Sequence, residues 1–158
     1  MLDLANIEQY RENNRIEAKQ ALGGLPESLW ETYSGFANAL GGYILLGVEE
    51  YPDRSLHPVD LLDPQWLLDE FWEILTDPKK VSVNLLTDEH IYTTEIDGNH
   101  IIVIEVPMAP RHMRPVFIGN NPLTGTYIRR GDGDYRCSPL EVTAMMKDAA
   151  LGNSESDG

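Results

Sequence analysis

The 158-residue chain holds one cysteine, Cys137. A lone thiol closes no intramolecular disulfide and completes no four-cysteine zinc cage, and such scarcity fits a reducing, cytoplasmic setting. Basic residues are also few. Twelve Lys and Arg face 26 Asp and Glu, a net charge of -14. That balance argues against a protein that grips nucleic acid or an anionic membrane through a broad basic surface. The longest apolar run, 43–46, is far short of the roughly 20 residues of a membrane span. The opening MLDLANIEQY has no basic stretch ahead of an apolar one and reads as no signal peptide. His57, His90, His100 and His112 show neither H-x-x-x-H nor H-E-x-x-H spacing, so no zinc site is expected from them. No G-x-x-x-x-G-K-[ST] occurs, which excludes P-loop ATP hydrolysis.

What is present has the length and the 42% apolar content of one globular domain. We assign it to residues 1–150, with the polar stretch 151–158 as a disordered tail. The charge is uneven. Residues 49–108 carry fourteen acids and three bases, net -11, whereas 109–136 carry five arginines and two acids, net +3.

The periodicity predicts mild helix over 4–12, a turn at Asn13-Asn14 and a short strand over 15–19. A helix over 26–40 would present Leu29, Tyr33, Phe36, Ala37 and Leu40, stopped by Gly41-Gly42. The apolar run 43–48 reads as a central strand buried on both faces. A second helix, 64–76, has Asp63 as N-cap and Pro64 in its first turn. Strands follow at 81–86, 91–96 and 101–106, the last two joined by the hairpin signal Asp97-Gly98. Short strands are expected at 115–118 and 126–129. Ser138-Pro139-Leu140-Glu141 is a capping box for a last helix docked by Val142, Met145 and Met146. The order gives an α+β domain: a mixed, mostly antiparallel sheet with three or four packed helices.

Four segments in this order, ENNRIEAK, GFANALGGYILLGVEE, RHMRPVFI and TYIRRGDGDYRCSPLEV, resemble the Schlafen-type Alba domain of bacterial proteins classed as transcriptional regulators and of animal Schlafen proteins. The resemblance covers roughly 8–150. Two positions depart from it: Ala18 replaces a bulky apolar residue, and Glu49-Glu50 stand where aspartate is usual. Independently of any family, Gly35, Ala37 and Ala39 allow a helix to lie close to a sheet, and Asn38 can bond loop backbone near the helix end.

Glu12 and Glu17 are five residues apart. On one helix they would diverge by about 140°, and on one strand they would face opposite sides. They converge only if Asn13-Asn14 turns the chain. Glu49 or Glu50 lies at the exit of the central strand, where sites on open sheets are commonly built. Carboxylates there suit Mg²⁺ or Mn²⁺, which can activate water against a phosphodiester. The resemblance implies the same: in animal Schlafen ribonucleases a similar trio forms the nuclease site, matched here by Glu12, Glu17 and Glu49 or Glu50. Of these, Glu12, Glu17 and Glu50 are the expected metal ligands. Lys19, Arg111, Arg114, Arg129 and Arg130 are the expected phosphate contacts, since guanidinium forks suit bidentate phosphate binding. Tyr127 and Tyr135 could stack on bases, although core packing is the commoner role for tyrosines on a strand.

The leading expectation is a DNA- or RNA-binding module of a bacterial transcriptional regulator, one part of a longer chain or a homodimer. It competes with a Mg²⁺- or Mn²⁺-dependent endoribonuclease and with a non-catalytic dimerisation domain, which the negative charge favours.

Overall fold

A computed structural model describes residues 2–157, with side chains as far as Gly152. The chain opens with a 3-10 turn, Leu4–Gln9, kinked at Asn6. Only Ile7 in it is buried, so nothing docks the longer helix expected over 4–12. β1 (Ile16–Lys19), α1 (Ser28–Asn38) and β2 (Gly42–Leu46) follow, then a small ribbon of β3 (Val48–Glu50) and β4 (Leu56–Pro58). α2 spans Pro64–Leu75, β5 Ile91–Ile96 and β6 Asn99–Val106. A single helical turn α3 (Pro122–Gly125), the ribbon β7 (Tyr127–Arg130) and β8 (Gly133–Arg136), and α4 (Pro139–Asp157) complete the described chain.

The main sheet has the order β1-β2-β6-β5. β1 runs parallel to β2, and the other pairs are antiparallel. The fold is therefore the α+β, mostly antiparallel architecture that the sequence implied. β2 sits at its centre, with Ile44, Leu45 and Leu46 at 0–1% exposure. Ile44 and Leu46 join Tyr33, Phe36 and Phe71 in one core, while Leu45 joins Ile7, Val48 and Leu56 in another. Both faces of the strand are covered, as its unbroken apolar run requires. Asp97 (φ 50) and Gly98 (φ 81) give the hairpin between β5 and β6 its two left-handed central residues.

The corner from α1 into β2 is built by the GFANALGG segment. Gly41 has φ 76, and a Cβ there would lie 2.6 Å from the Val106 carbonyl oxygen. At Gly42 a Cβ would lie 2.8 Å from the Arg15 carbonyl oxygen. Asn38 is buried and fully used. Its Nδ2 donates to the carbonyls of Val116 (2.8 Å) and Tyr127 (2.9 Å), and its Oδ1 accepts from Val116 N (2.8 Å). One amide thus fastens two later segments to the end of α1.

Several expectations are corrected. Residues 81–86 form no strand. The Tyr33 hydroxyl donates to the Val83 carbonyl and accepts from Leu85 N, and Asn84 Oδ1 takes Leu86 N, so side chains satisfy this backbone in place of a ladder. Residues 115–118 make only isolated bridges, at Phe117 and Ile118. Leu40 and Met146 are 58% and 50% exposed rather than docked. The central strand ends one residue before Gly47, whose φ of 81 turns the chain into β3. β4, β8 and α3 had no sequence signal strong enough to read. α4 continues to Asp157 rather than stopping near 150. Of the expected tail 151–158, Gly158 and the side chains of 153–157 lie outside the described residues.

Truncating Asn38 to Ala takes the side-chain partner from the Tyr127 carbonyl and from Val116 N, while the Val116 carbonyl keeps the Ser34 hydroxyl at 2.7 Å. We expect Asn38→Ala to cost about 2–4 kcal/mol, measured by urea unfolding. A loss below about 0.5 kcal/mol would show that water replaces the amide.

A carboxylate cluster braced by a buried arginine

Arg129, on β7, has a side chain with no exposure. Its guanidinium donates to the Asn13 carbonyl from Nε (3.1 Å) and Nη2 (2.8 Å), to the Ile16 carbonyl (3.1 Å), and to Asp134 Oδ1 (3.1 Å). Glu17 Oε2 lies 2.8 Å from Nη2. That oxygen accepts no directed hydrogen bond, so the contact is ionic. The Phe36 ring lies 4.9 Å beneath the guanidinium carbon. A buried cation is tolerated only when its donors and charge are both matched, and two carboxylates with two backbone carbonyls do this. Asp134 is itself held by Thr32 Oγ1 at 2.7 Å. Gly35 leaves room for it, since a Cβ there would lie 2.7 Å from Asp134 Oδ1.

These contacts fix the turn at residues 13–16, and the turn decides where Glu12 and Glu17 point. Asn13 Oδ1 accepts from Arg15 N (2.7 Å) and tightens it further. Glu12 folds back so that its Oε1 accepts from Ala18 N at 3.0 Å. There it meets Glu17 and Glu50. Burial first, then the Glu17 charge, raise the Glu12 carboxyl to about 7; the charge of Glu50 and a hydrogen bond to it add to the rise, against the Ala18 N–H. Glu50 is thus the strand-exit acid that joins the cluster. Glu49, its neighbour on β3, stands opposite His57 in the β3–β4 ladder. Lys19 reaches Glu17 at 3.5 Å and Ser28 Oγ at 3.0 Å.

The structure therefore gathers Glu12, Glu17 and Glu50, with Lys19 and Arg129 beside them. It does not gather the remaining cations. Arg130 pairs with Glu141 (2.7 Å) in the first turn of α4 and Arg111 with Asp148 (2.7 Å) at its middle, both near the surface. Arg114 is half-buried and its Nε has no hydrogen-bond partner. Arg129 was expected to meet phosphate, but its donors are spent inside the fold. Asp134 and Thr32, which complete its cage, gave no sequence signal: neither lies near the glutamates in the chain. Tyr127 is in the core and Tyr135 is 54% exposed.

Glu12, Glu17 and Glu50 offer the hard oxygen donors that Mg²⁺ or Mn²⁺ prefers. As placed they do not fit such an ion. Glu17 is taken by Arg129 and Lys19, and Glu12 Oε1 by Ala18 N. Among the described residues no three His, Cys, Asp or Glu side chains are arranged to hold a metal. What the cluster does supply is a carboxyl that titrates near neutrality, the property of a general acid or base.

A four-stranded mixed sheet with a carboxylate cluster beside its parallel edge pair defines a class of small α+β domain. The family model described as "Schlafen, AlbA_2" matches residues 12–138, and the chain belongs to that family. It is similar to the solution structure of the N-terminal domain of a RecG-related protein from Nitrosomonas europaea, provisionally named an ATP-dependent DNA helicase. The two share 29% identity with a TM-score of 0.62, over 85% of this chain and 91% of that one. A crystal structure of a Corynebacterium diphtheriae protein shares the fold at 18% identity and a TM-score of 0.50, over 78% of this chain and 22% of that protein. No curated protein matches. Among the described residues no helix is long and apolar enough to cross a membrane.

The Glu12 shift has a consequence for stability. The unfolded carboxyl titrates at 4.5 and the folded one at about 7. The folded state therefore holds a proton that the unfolded chain has released, and stability falls as pH rises through this window, then levels off. Allowing for solvent screening at a half-buried site, the fall is about 1–2 kcal/mol. Glu12→Gln keeps an acceptor for Ala18 N and carries no charge. Urea unfolding from pH 5 to 8 should find it more stable than wild type at pH 8, with this slope removed. An unchanged slope would place the linkage on another group.

Proposed function

We propose that this domain is a nucleic-acid-binding module. The observation that supports this best is its likeness, at 29% identity over most of both chains, to the N-terminal domain of a protein named for DNA helicase activity. The charge distribution fits a small contact rather than a wide one: the sequence is net -14, yet 109–136 is net positive. Lys19, Arg111, Arg114 and Arg130 are the candidate phosphate contacts on this reading, and Arg129 acts from within by holding the 13–16 turn. The natural setting is a bacterial transcriptional regulator in the cytoplasm, with further domains or a second copy of the chain adding to the affinity.

A second reading, cleavage of a phosphodiester, is favoured by the convergence of Glu12, Glu17 and Glu50 and by a carboxyl raised to about 7. A half-neutral carboxyl at pH 7 can either take a proton from an attacking hydroxyl or give one to a leaving oxygen. Its alternative is a module that binds without cutting.

Both readings are tested with one set of substrates. Labelled single-stranded DNA, duplex DNA and structured RNA are titrated against the protein at rising salt. Binding should weaken steeply with salt, with a log–log slope of about one per phosphate contacted. No binding to any of them at low salt contradicts the proposal. The same RNA is then incubated with and without Mg²⁺ or Mn²⁺. The cleavage reading predicts products that Glu12→Gln and Glu17→Gln abolish, and intact RNA throughout contradicts it.

A further inference from the structure

Three large apolar side chains stand in water on one side of the domain. Leu62 is 93% exposed, Leu22 58% and Trp66 57%. Single exposed apolar residues are ordinary. These three, however, line one concavity of about 480 Å³, and exposed apolar groups gathered in this way mark interaction sites. The concavity lies between the loop after β1, which carries Ala21, Leu22 and Gly24, the loop from Val59 to Asp63, and the first turn of α2, which carries Trp66. Its walls are held in place. Trp66 sits against Gly24, where an added Cβ would lie 4.0 Å from the ring atom Cζ3. Leu61, next to Leu62, is buried in the core, and its N–H donates to the His100 carbonyl at 2.8 Å.

The charge around it has one sign. Asp60 and Asp63 belong to the lining, which contains no Lys, Arg or His. Asp69, Glu70 and Glu73 follow Trp66 at helical spacings of three, four and seven, so they continue the same side of α2. Residues 59–78 hold six acids and no base. His100 answers Asp60 at 3.0 Å, and Asp63 accepts from Trp66 N as the cap of α2. Among the described residues no Lys or Arg pairs with any of the six. This rim repels a phosphate backbone and an anionic membrane alike. A second copy of the chain brings net charge -14. In its net positive stretch Arg129 is buried, and Arg111 and Arg130 are already paired. What matches the apolar walls and the acids together is a segment of another protein, with a Leu or aromatic anchor flanked by Lys or Arg.

We propose that this concavity is a docking site for a basic, apolar-anchored segment of a partner protein. The anchor packs against Leu22, Leu62 and Trp66, and the neighbouring Lys or Arg face Asp63 and Asp69. Trp66 is the centre of the contact, because a half-exposed tryptophan that loses its remaining water on binding carries a large share of the binding energy. The site does not rest on the nucleic-acid reading. The acids that attract a basic segment repel phosphate, and none of Lys19, Arg111, Arg114 and Arg130 lines it.

The test uses the full chain and, as probe, a random dodecapeptide library displayed on phage and selected at low salt against immobilised wild type. Enriched peptides are labelled with fluorescein and titrated by anisotropy against wild type, Leu62→Ser, Trp66→Ala, and Asp63→Asn combined with Asp69→Asn. Leu62 is almost wholly exposed, so its change leaves the fold intact, which circular dichroism checks. The double Asn change keeps the cap for Trp66 N and the acceptor for Gln65 while removing charge. The selected peptides should carry a Leu or aromatic residue beside Lys or Arg, well above library frequency. Trp66→Ala should weaken their binding at least about tenfold and Leu62→Ser at least about threefold. The double Asn change should weaken it about threefold and flatten its dependence on salt. Peptides with no enrichment in Lys and Arg, binding that Leu62→Ser and Trp66→Ala leave unchanged, or a library that yields no peptide each overturn the proposal. Sedimentation of wild type decides the other occupant. A dimer that Leu62→Ser dissolves means that a second copy covers the patch and overturns the basic segment. A monomer, or a dimer that Leu62→Ser leaves intact, supports a patch kept free for the partner.

Discussion

The enclosure of Arg129 is the interaction on which the candidate site depends. Its guanidinium is out of water, so each donor and the charge must find a match inside the protein. The matches come from three stretches far apart in sequence: the 13–17 turn, Asp134 on β8, and Phe36 on α1. Satisfying one cation therefore docks the N-terminal segment and the β7–β8 ribbon onto the same helix. The turn held in this way sets the direction of Glu12 and Glu17. The arginine that the sequence offers as a ligand contact is instead the reason that the carboxylates meet.

The same logic explains how a chain of net charge -14 is organised. Interior charge is matched within contact distance, as at Arg129. Exposed pairs such as Arg130 with Glu141 and Arg111 with Asp148 each contribute little, since solvent screens them. Acids pack together at Glu12, Glu17 and Glu50, where one answers by holding its proton.

Much of the fold was legible because its signals are local. The unbroken run through Ile44 and Leu46 announced a strand covered on both faces, Asp97-Gly98 announced the hairpin, and Asp63 announced the start of α2, where it accepts from Trp66 N. The glutamate pair was also legible, since only a turn at Asn13-Asn14 can bring positions 12 and 17 together. What escaped the reading depends on partners distant in the chain. Residues 81–86 have strand composition, yet the Tyr33 hydroxyl takes their backbone bonds. Glu49 and Glu50 are consecutive on β3 and so face opposite sides of it, which sequence alone does not assign. The role of Arg129 could not be read at all, because the sequence does not show that Asp134 and the carbonyls of Asn13 and Ile16 surround it.

The central claim is that an arginine-anchored turn presses Glu12 against Glu17 and Glu50. The most direct measurement is an NMR titration of the Glu12 side-chain carboxyl carbon, assigned by comparison with Glu12→Gln. The account predicts a midpoint at about 7. A midpoint at the ordinary value of 4.5 would contradict it, since burial and the facing carboxylates would then leave no net mark on Glu12.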